Sequence, residues 1–560
     1  MPEAPEVFSF LRKVQRVIEK EKTMSAGPAG AAQTEPEARL VMFPRVFAVG
    51  TQSKAYSSIS LDDSRFDHTL EPAGVIPDIC SHWDLVKAKS NSCTYLVDRA
   101  LAPGPLLAAI RGKCLVLAAG HHAITISFGL EACLYVVSLS DFYAILQGDC
   151  PGPNEDTDKA AELRSFKLPP HLIEPGSEVG GIGHCVNIFC AFLMKQHAVI
   201  LTDFSRLVRL RVISRSAPWM AKDLEVGTEW WENVLWREFP DGPDWLRLLS
   251  QSGPLALCGS PSARSSSKHS EPITKSITTS RAMAFGGFGR HLANDFLFTV
   301  AIHPGMSAYA VCSDKAMWVR LRNGILPFMK TWRSKEFISR CLNDTNSLNP
   351  FAFNHASNMH YLSTYTKVYK KKYVRVGSEL YSLYAQLGYL DSSHTIGQPY
   401  FGPMATASVD RYCDLEVHMD CVKKLEVYTA IVALPPKPDM WYTIPSNTWT
   451  DIQDKGNATT VGPASFREVI QNKLKANSEA MKPKPGRPAK VKTGKRGRPT
   501  TTHSASKYMR KHSNQTAISR SRKVDTADES EDEAGGNGVI VSSGTSPIKT
   551  RAARRNMLQI

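Results

Sequence analysis

The chain has 560 residues, 42% of them hydrophobic, and a formal net charge of +15 from 68 Lys and Arg against 53 Asp and Glu. That length exceeds one small domain and the apolar content suffices for a sizeable core. The longest uncharged apolar run, Cys114 to Leu130, is broken by Gly120, His121 and His122, which argues against a membrane span. The charge is unevenly placed. Residues 482–560 hold 18 Lys and Arg against 6 Asp and Glu, leaving 50 against 47 in residues 1–481. An acidic partner is therefore expected for the tail, while composition gives no such reason for the body.

In chain order, Met1-Pro2-Glu3-Ala4-Pro5-Glu6 places acidic residues where a secretory leader would be basic. Residues 5–20 predict an amphipathic helix, with Val7, Leu11, Val14 and Ile18 on one face, Phe10 and Val17 beside it, and Lys13, Arg16 and Lys20 elsewhere. Residues 21–38 read as linker, so 1–38 is a helix and linker. It is expected to dock on the body.

From residue 39 the pattern becomes short strands separated by turn residues. Leu40 to Gly50 with Ala55 to Leu61, and Lys113 to Ala119 with Ala123 to Phe128, read as hairpins. Ala198 to Asp203 with Leu207 to Val212, and Ala308 to Lys315 with Met317 to Arg322, repeat that shape, each ending in Arg-Leu-Arg. Twelve cysteines lie scattered without a Cys-x-x-Cys pair, which suggests reduced thiols. His184, Cys185 and Cys190, and Cys413, His418 and Cys421, come nearest to metal spacing, but each lacks a second ligand pair, so no metal site is predicted.

The stretch Leu297-Phe298-Thr299-Val300-Ala301-Ile302-His303-Pro304-Gly305, running on through Ser313-Asp314-Lys315 to Trp318-Val319-Arg320-Leu321, resembles a WD-repeat blade. That resemblance implies a mainly β body, a divergent WD40-like β-propeller over residues 39–464. Its spacing is uneven, and no Trp-Asp dipeptide closes these hairpins. Insertions near 213–293 account for that, including the Trp-rich stretch 216–250 and the Ser/Thr-rich stretch 259–281. Gly286-Gly287-Phe288-Gly289 reads as a loop, and Gly180-Gly181-Ile182-Gly183 as an incomplete anion site. Phe328 to Asn343 has helical spacing. Lys367 to Tyr373 interleaves basic and aromatic residues and reads as a solvated strand edge. Leu425 to Ala433 and Met440 to Ile444 suggest a closing strand pair, and residues 465–481 a final helix.

Residues 482–560 contain no Trp or Phe, and Tyr508 is their only aromatic, so this basic tail is expected to stay disordered by itself. Within it, Lys495-Arg496-Gly497-Arg498-Pro499 resembles an AT-hook, and Lys484-Pro485-Gly486-Arg487-Pro488 a weaker half-hook with Pro485 where the first arginine would stand. The resemblance implies DNA binding by Lys484, Gly486, Arg487, Pro488, Lys495, Arg496, Gly497, Arg498 and Pro499. Arginines enter the narrow minor groove of A·T-rich duplex, while glycine permits close approach and proline keeps the chain extended. The acidic block Asp528-Glu529-Ser530-Glu531-Asp532-Glu533 would compete with DNA for these bases. Ser530 and Ser546 resemble phosphorylation sites that would strengthen the competition.

No Walker A sequence, Gly-x-Ser-x-Gly elbow or His-Glu-x-x-His pair is present. The expected function is thus a non-enzymatic nuclear chromatin scaffold without cofactor. Its body would bind proteins, and its tail would tether it to A·T-rich double-stranded DNA. A transcription factor or transcription-complex subunit with a DNA-reading body is one alternative. The other is a metal-dependent nuclease using Asp410, Asp414, Glu416 and Asp420.

Overall fold

The computed structural model describes most of residues 2–431. Segments 26–34, 48–56, 71–78, 152–163, 174–184, 240–270 and 389–411, some shorter stretches, and all of 432–560 lie outside the described residues. The chain opens with α1 (Ala4–Ser25), whose face of Val7, Phe10, Leu11, Val14 and Val17 is buried, as its periodicity predicts. It docks against β4 (Leu107–Arg111) and β7 (Ala132–Ser138).

These strands belong to two different five-stranded sheets. One runs β3 (Gly104–Pro105), β1 (Glu37–Met42), β11 (Ile188–Leu193), β12 (His197–Asp203), β7. The other runs β2 (Ser58–Arg65), β13 (Arg209–Arg215), β6 (His122–Ser127), β5 (Cys114–Ala119), β4. Leu115, Leu117, Ile124, Ile126, Leu210 and Val212 of the second sheet share one core with Val41, Leu134, Phe189 and Ile200 of the first. The outward residues Cys114, Val116 and Ala118 are buried as well, because Trp219, Trp231 and Trp236 cover that face. Strand β5 therefore reads as an unbroken apolar run rather than an alternating one. Helix α2 (His82–Ser90), helix α3 (Leu139–Leu146) and a small sheet of β8 (Asp149–Pro151), β9 (Arg164–Lys167) and β10 (Cys185–Val186) complete this half, with α3 packed on β7 and β12.

This is not a propeller: the described residues form a mixed α/β structure of packed open sheets and helices. Only one of the expected hairpins of the first half forms, β5 with β6, closed by Gly120 at a φ of +54° and His121. Strands β1 and β2 lie in separate sheets. Strand β12 pairs with β11 and β7, whereas β13 pairs with β6 and, in parallel, with β2, so the Arg-Leu-Arg strand crosses between sheets.

The stretch that resembles a WD blade is helical throughout its length apart from connections. It holds α5 (Arg290–Thr299), α6 (Ala308–Ser313) and α7 (Lys315–Thr331), after a short α4 (Ile273–Thr278). Leu292, Phe296, Leu321, Ile325 and Phe328 recur at helical intervals and pack together. Asp314 is the N-cap of α7, accepting from the Met317 amide at 2.7 Å, and Ser307 caps α6 by accepting from the Ala310 amide at 3.1 Å. A Ser or Asp that accepts a backbone N–H serves a helix start and a β-turn alike, which is why the sequence pattern misleads. Beyond α8 (His355–His360), strand β14 (Tyr373–Gly377) is followed by α9 (Ser378–Gln386). It pairs with β15 (Tyr412–Val422), which pairs in turn with β16 (Leu425–Ile431). The second strand expected to close against Leu425 to Ala433, Met440 to Ile444, lies outside the described residues, as does the expected helix 465–481. Phe298 of α5 joins Val374, Tyr381, Tyr384 and Leu415 in a third core, so α5 packs on two sides at once. Among the described residues no helix is long and apolar enough to cross a membrane.

Candidate active site

Helix α5 is amphipathic neither in burial nor in sequence: Leu292, Ala293, Phe296 and Leu297 are buried, and so are His291, Asn294 and Asp295. Buried polar side chains demand partners. Asn294 donates to the Arg290 carbonyl at 2.7 Å and accepts from the Tyr428 amide at 2.9 Å, tying β16 to the helix. Asp295 accepts from three successive backbone amides, Lys367 at 3.0 Å, Val368 at 2.8 Å and Tyr369 at 2.9 Å. The segment read as a solvated strand edge is thus anchored at its start, and β14 begins only at Tyr373.

The amino end of α5 receives the beginning of the chain. The Ala4 amide donates to the Gly287 carbonyl at 3.0 Å, which places Glu3 over the first turn of the helix. Its carboxylate accepts from the free amides of His291 at 3.1 Å and Leu292 at 2.8 Å. A helix start offers such unpaired N–H groups and a favourable dipole for a carboxyl oxygen. The approach requires glycine: a Cβ on Gly289 would lie 2.5 Å from Glu3 Cδ and 2.8 Å from its Cγ. Gly287, at a φ of +89°, turns the chain into this position. Glu6 completes the corner by accepting from the Glu3 amide at 3.0 Å.

His291 stands between two carboxyl groups. Its Nε2 is 3.1 Å from Asp295 Oδ2 and its Nδ1 is 3.8 Å from Glu3 Oε2, while the Tyr361 hydroxyl lies 3.4 Å from Nδ1. Burial alone would depress the imidazole, but the bond to Asp295 and the charges of Asp295, Glu3 and Glu6 outweigh it and raise His291 to about 9. Burial pushes the Glu3 carboxyl up from its ordinary value; His291 pulls it down and Glu6 adds to the rise. Burial also works against the Asp295 charge, yet His291 and the backbone amides hold that carboxyl low. The result is a buried Glu3 carboxyl raised from its ordinary value, beside an imidazole raised to about 9. A raised carboxyl beside a basic imidazole can exchange a proton with a group bound next to it.

Lys484, Gly486, Arg487, Pro488, Lys495, Arg496, Gly497, Arg498, Pro499, Ser530 and Ser546 are outside the described residues, as is Asp410. Asp414, Glu416 and Asp420 all fall on β15, and Asp420 pairs with exposed His418 at 2.8 Å. No group of three His, Cys, Asp or Glu side chains fit to hold a metal ion occurs among the described residues. Sequence reasoning missed Glu3, read there only as evidence against a leader, and Gly289, read as loop. The available signal was the run His291, Asn294, Asp295 inside an apolar helix directly behind Gly286, Gly287 and Gly289.

No family model and no curated protein matches the chain. Among solved structures, it is similar to a complex of the R247G LlFPG mutant with tetrahydrofuran-containing DNA, at 10% identity and a TM-score of 0.36. It is similar to Lactococcus lactis formamidopyrimidine DNA glycosylase bound non-covalently to DNA with an AP site, at 10% identity and a TM-score of 0.33. It is also similar to MutM in complex with DNA containing carbocyclic 8-oxo-G, at 10% identity and a TM-score of 0.34. Each match covers 76% of this chain and 97% of the other. These neighbours are DNA glycosylases and not propellers, against the expectation of a non-enzymatic propeller chain. At such TM-scores and identities, the activity of this chain has to be argued from its own residues.

Proposed function

We propose that the chain is a DNA glycosylase and abasic-site lyase in which Pro2 supplies the nucleophile and Glu3 moves its protons. The observation that carries this reading is the burial of Pro2 and Glu3 together, with the Glu3 carboxyl seated on the amino end of α5 against a glycine that no other residue could replace without displacing it. In the proposed enzyme Met1 is removed, and the secondary amine of Pro2 becomes the α-amino group. Such a group has an ordinary pKa of about 8, against about 10.4 for lysine, so far more of it is unprotonated at neutral pH.

The chemistry balances without a cofactor. At an abasic aldehyde the amine bonds to C1′, the carbonyl oxygen departs as water, and the two protons of the original ammonium end on that water, Glu3 carrying them one at a time. A secondary amine leaves an iminium that cannot lose a further N–H proton, and this cation acidifies C2′–H. Glu3, a carboxylate again once the water has formed, accepts that proton while the C3′–O bond breaks and its electron pair leaves with the 3′ phosphate, which cuts the strand. With an intact damaged nucleotide the same amine displaces the base, and Glu3 serves as the acid. Abasic and base-damaged duplexes are also what the similar structures hold.

The tail gives this enzyme a second grip. In our reading the Gly-Arg-Pro segments at 484–488 and 495–499 enter the minor groove of A·T-rich DNA and raise the effective concentration of the body along the duplex. The basic tail fits work on nuclear DNA. The deciding experiment is borohydride trapping on a duplex with one abasic site, using protein whose intact mass establishes a free Pro2. A covalent adduct attached through Pro2 is expected. No adduct from such protein, or one attached elsewhere, overturns the proposal.

A further inference from the structure

We propose that His291 is a positioning residue: held by Asp295, its positive charge governs when Glu3 can act as a base. The inference rests on the lyase reading above and adds to it the control of that same site.

Asp295 Oδ2 lies 3.1 Å from Nε2 as an ion pair, and Asp295 is itself fixed by the amides of Lys367, Val368 and Tyr369. The ring is packed between Tyr361 and Tyr369, each with its centroid 5.7 Å away. Nδ1 is thereby kept on the Glu3 side, 3.8 Å from the carboxyl. The charged and titratable groups facing this centre are Glu6 from α1, Lys113 from the β4–β5 turn, Arg290 and Asp295 from α5, and Tyr361, Lys367 and Tyr369 from the segment after α8. Two of the groups act strongly on Glu3 in opposite senses: Glu6 favours the protonated acid and His291 the carboxylate.

In the proposed reaction Glu3 must start as a carboxylate to accept a proton from the Pro2 ammonium. An opposite charge within about 4–6 Å moves a carboxyl by about one to three pH units. Without it, burial and Glu6 keep the acid protonated to higher pH. His291 therefore sets the acidic limb of the activity profile, while the high-pH reaction, where Glu3 is ionised in any case, depends on it less.

The test compares kcat/KM against pH for wild type and His291→Gln on an abasic duplex. The acidic limb of His291→Gln is expected to move up by about one pH unit or more, with the rates converging at high pH. A uniform loss at every pH with an unmoved limb assigns His291 a packing role only and overturns the inference, although trapping by the wild type would still uphold the lyase reading. Absence of trapping by the wild type sinks that reading first. Should His291→Gln fail to fold, 15N chemical shifts of the wild-type imidazoles decide: His291 is expected to carry both protons at pH 7.5, and a neutral ring there overturns the proposal.

Discussion

Gly289→Ala probes the site with a single methyl group. The new Cβ would stand 2.5 Å from Glu3 Cδ and 2.8 Å from Cγ, whereas ordinary contact begins near 3.4 Å. Because Cγ is involved as well as the carboxyl, rotating the tip of the side chain does not relieve the clash, and the whole side chain has to retreat by roughly 1 Å. The bonds from His291 N and Leu292 N, now 3.1 and 2.8 Å, would then stretch beyond hydrogen-bonding distance. Two buried donors left without an acceptor cost about 1–3 kcal/mol each, so a loss of at least about 2 kcal/mol in folding stability is expected. For catalysis, a misplacement of about 1 Å is worth about a hundredfold in rate. Thermal unfolding, strand-nicking kinetics and borohydride trapping would measure both effects. Gly227→Ala is the matched control: its φ of +91° makes alanine strained, but no atom lies within 4 Å of the added methyl. It should lose about 1 kcal/mol and keep its nicking rate. A Gly289→Ala enzyme with the wild-type melting temperature and a rate within twofold of wild type would refute the placement of Glu3.

Glu3→Gln removes the proton carrier but retains an oxygen for the helix amides; nicking should fall by about 10²- to 10⁴-fold while duplex affinity is kept, as read by single-turnover kinetics and fluorescence anisotropy. Stability should decline with alkalinity. A histidine raised to about 9 contributes stabilisation that is full below its unfolded value of 6.5 and is lost as pH rises through about 9, and the raised Glu3 acts in the same direction above its own unfolded value. Melting temperature is therefore expected to drop between pH 7 and 9.5, and to drop less in His291→Gln. Asp295→Asn leaves a buried imidazolium without its counter-charge at a cost of about 3–5 kcal/mol and loosens residues 367–369, which amide hydrogen exchange would register. Replacing Arg496 and Arg498 by alanine should weaken binding to A·T-rich duplex more than to G·C-rich duplex. Each DNA phosphate that these arginines no longer neutralise should shrink the salt slope by about 0.9.

How much of this was legible in the residues depends on which signal was unique. The period of α1 was, because Val7, Leu11 and Val14 fit no other pattern, and so was the β5–β6 hairpin around Gly120. The pairing of β12 and β13 was not, since a strand records its own alternation and says nothing of its neighbour; here the neighbour lies in another sheet. The helices α5 to α7 were misread for a local reason. Phe298, Thr299, Val300 and Ile302 have strand-forming character, and Ser307 and Asp314 cap helices with the same atoms that close turns. The site was harder still. Glu3 and His291 are 288 positions apart and meet only because α1 docks on the sandwich, so no local motif could join them.

Why this cluster, and not the buried one around Arg164, is proposed to carry chemistry follows from the groups that it holds. Arg164 binds Asp84 at 2.6 Å and Asp149 at 2.9 Å, with Arg45 near Asp149 and with Arg206 bonded to the Arg164 carbonyl. There, two carboxylates face guanidinium groups that never release a proton, and the network closes on itself as a clamp between α2 and the small sheet of β8, β9 and β10. At the amino end of α5, three carboxyl groups, Glu3, Glu6 and Asp295, surround a single imidazole. Lys113 and Lys367 also act on these carboxyls, yet burial outweighs the favourable charges at Glu3, whose carboxyl is raised from its ordinary value while that of Asp295 is lowered. That rise falls on the residue next to Pro2, the one that the proposed lyase uses as its proton carrier. Packing alone would favour an apolar side chain in that position, and the proposed lyase gives the buried carboxyl a use as proton carrier for Pro2.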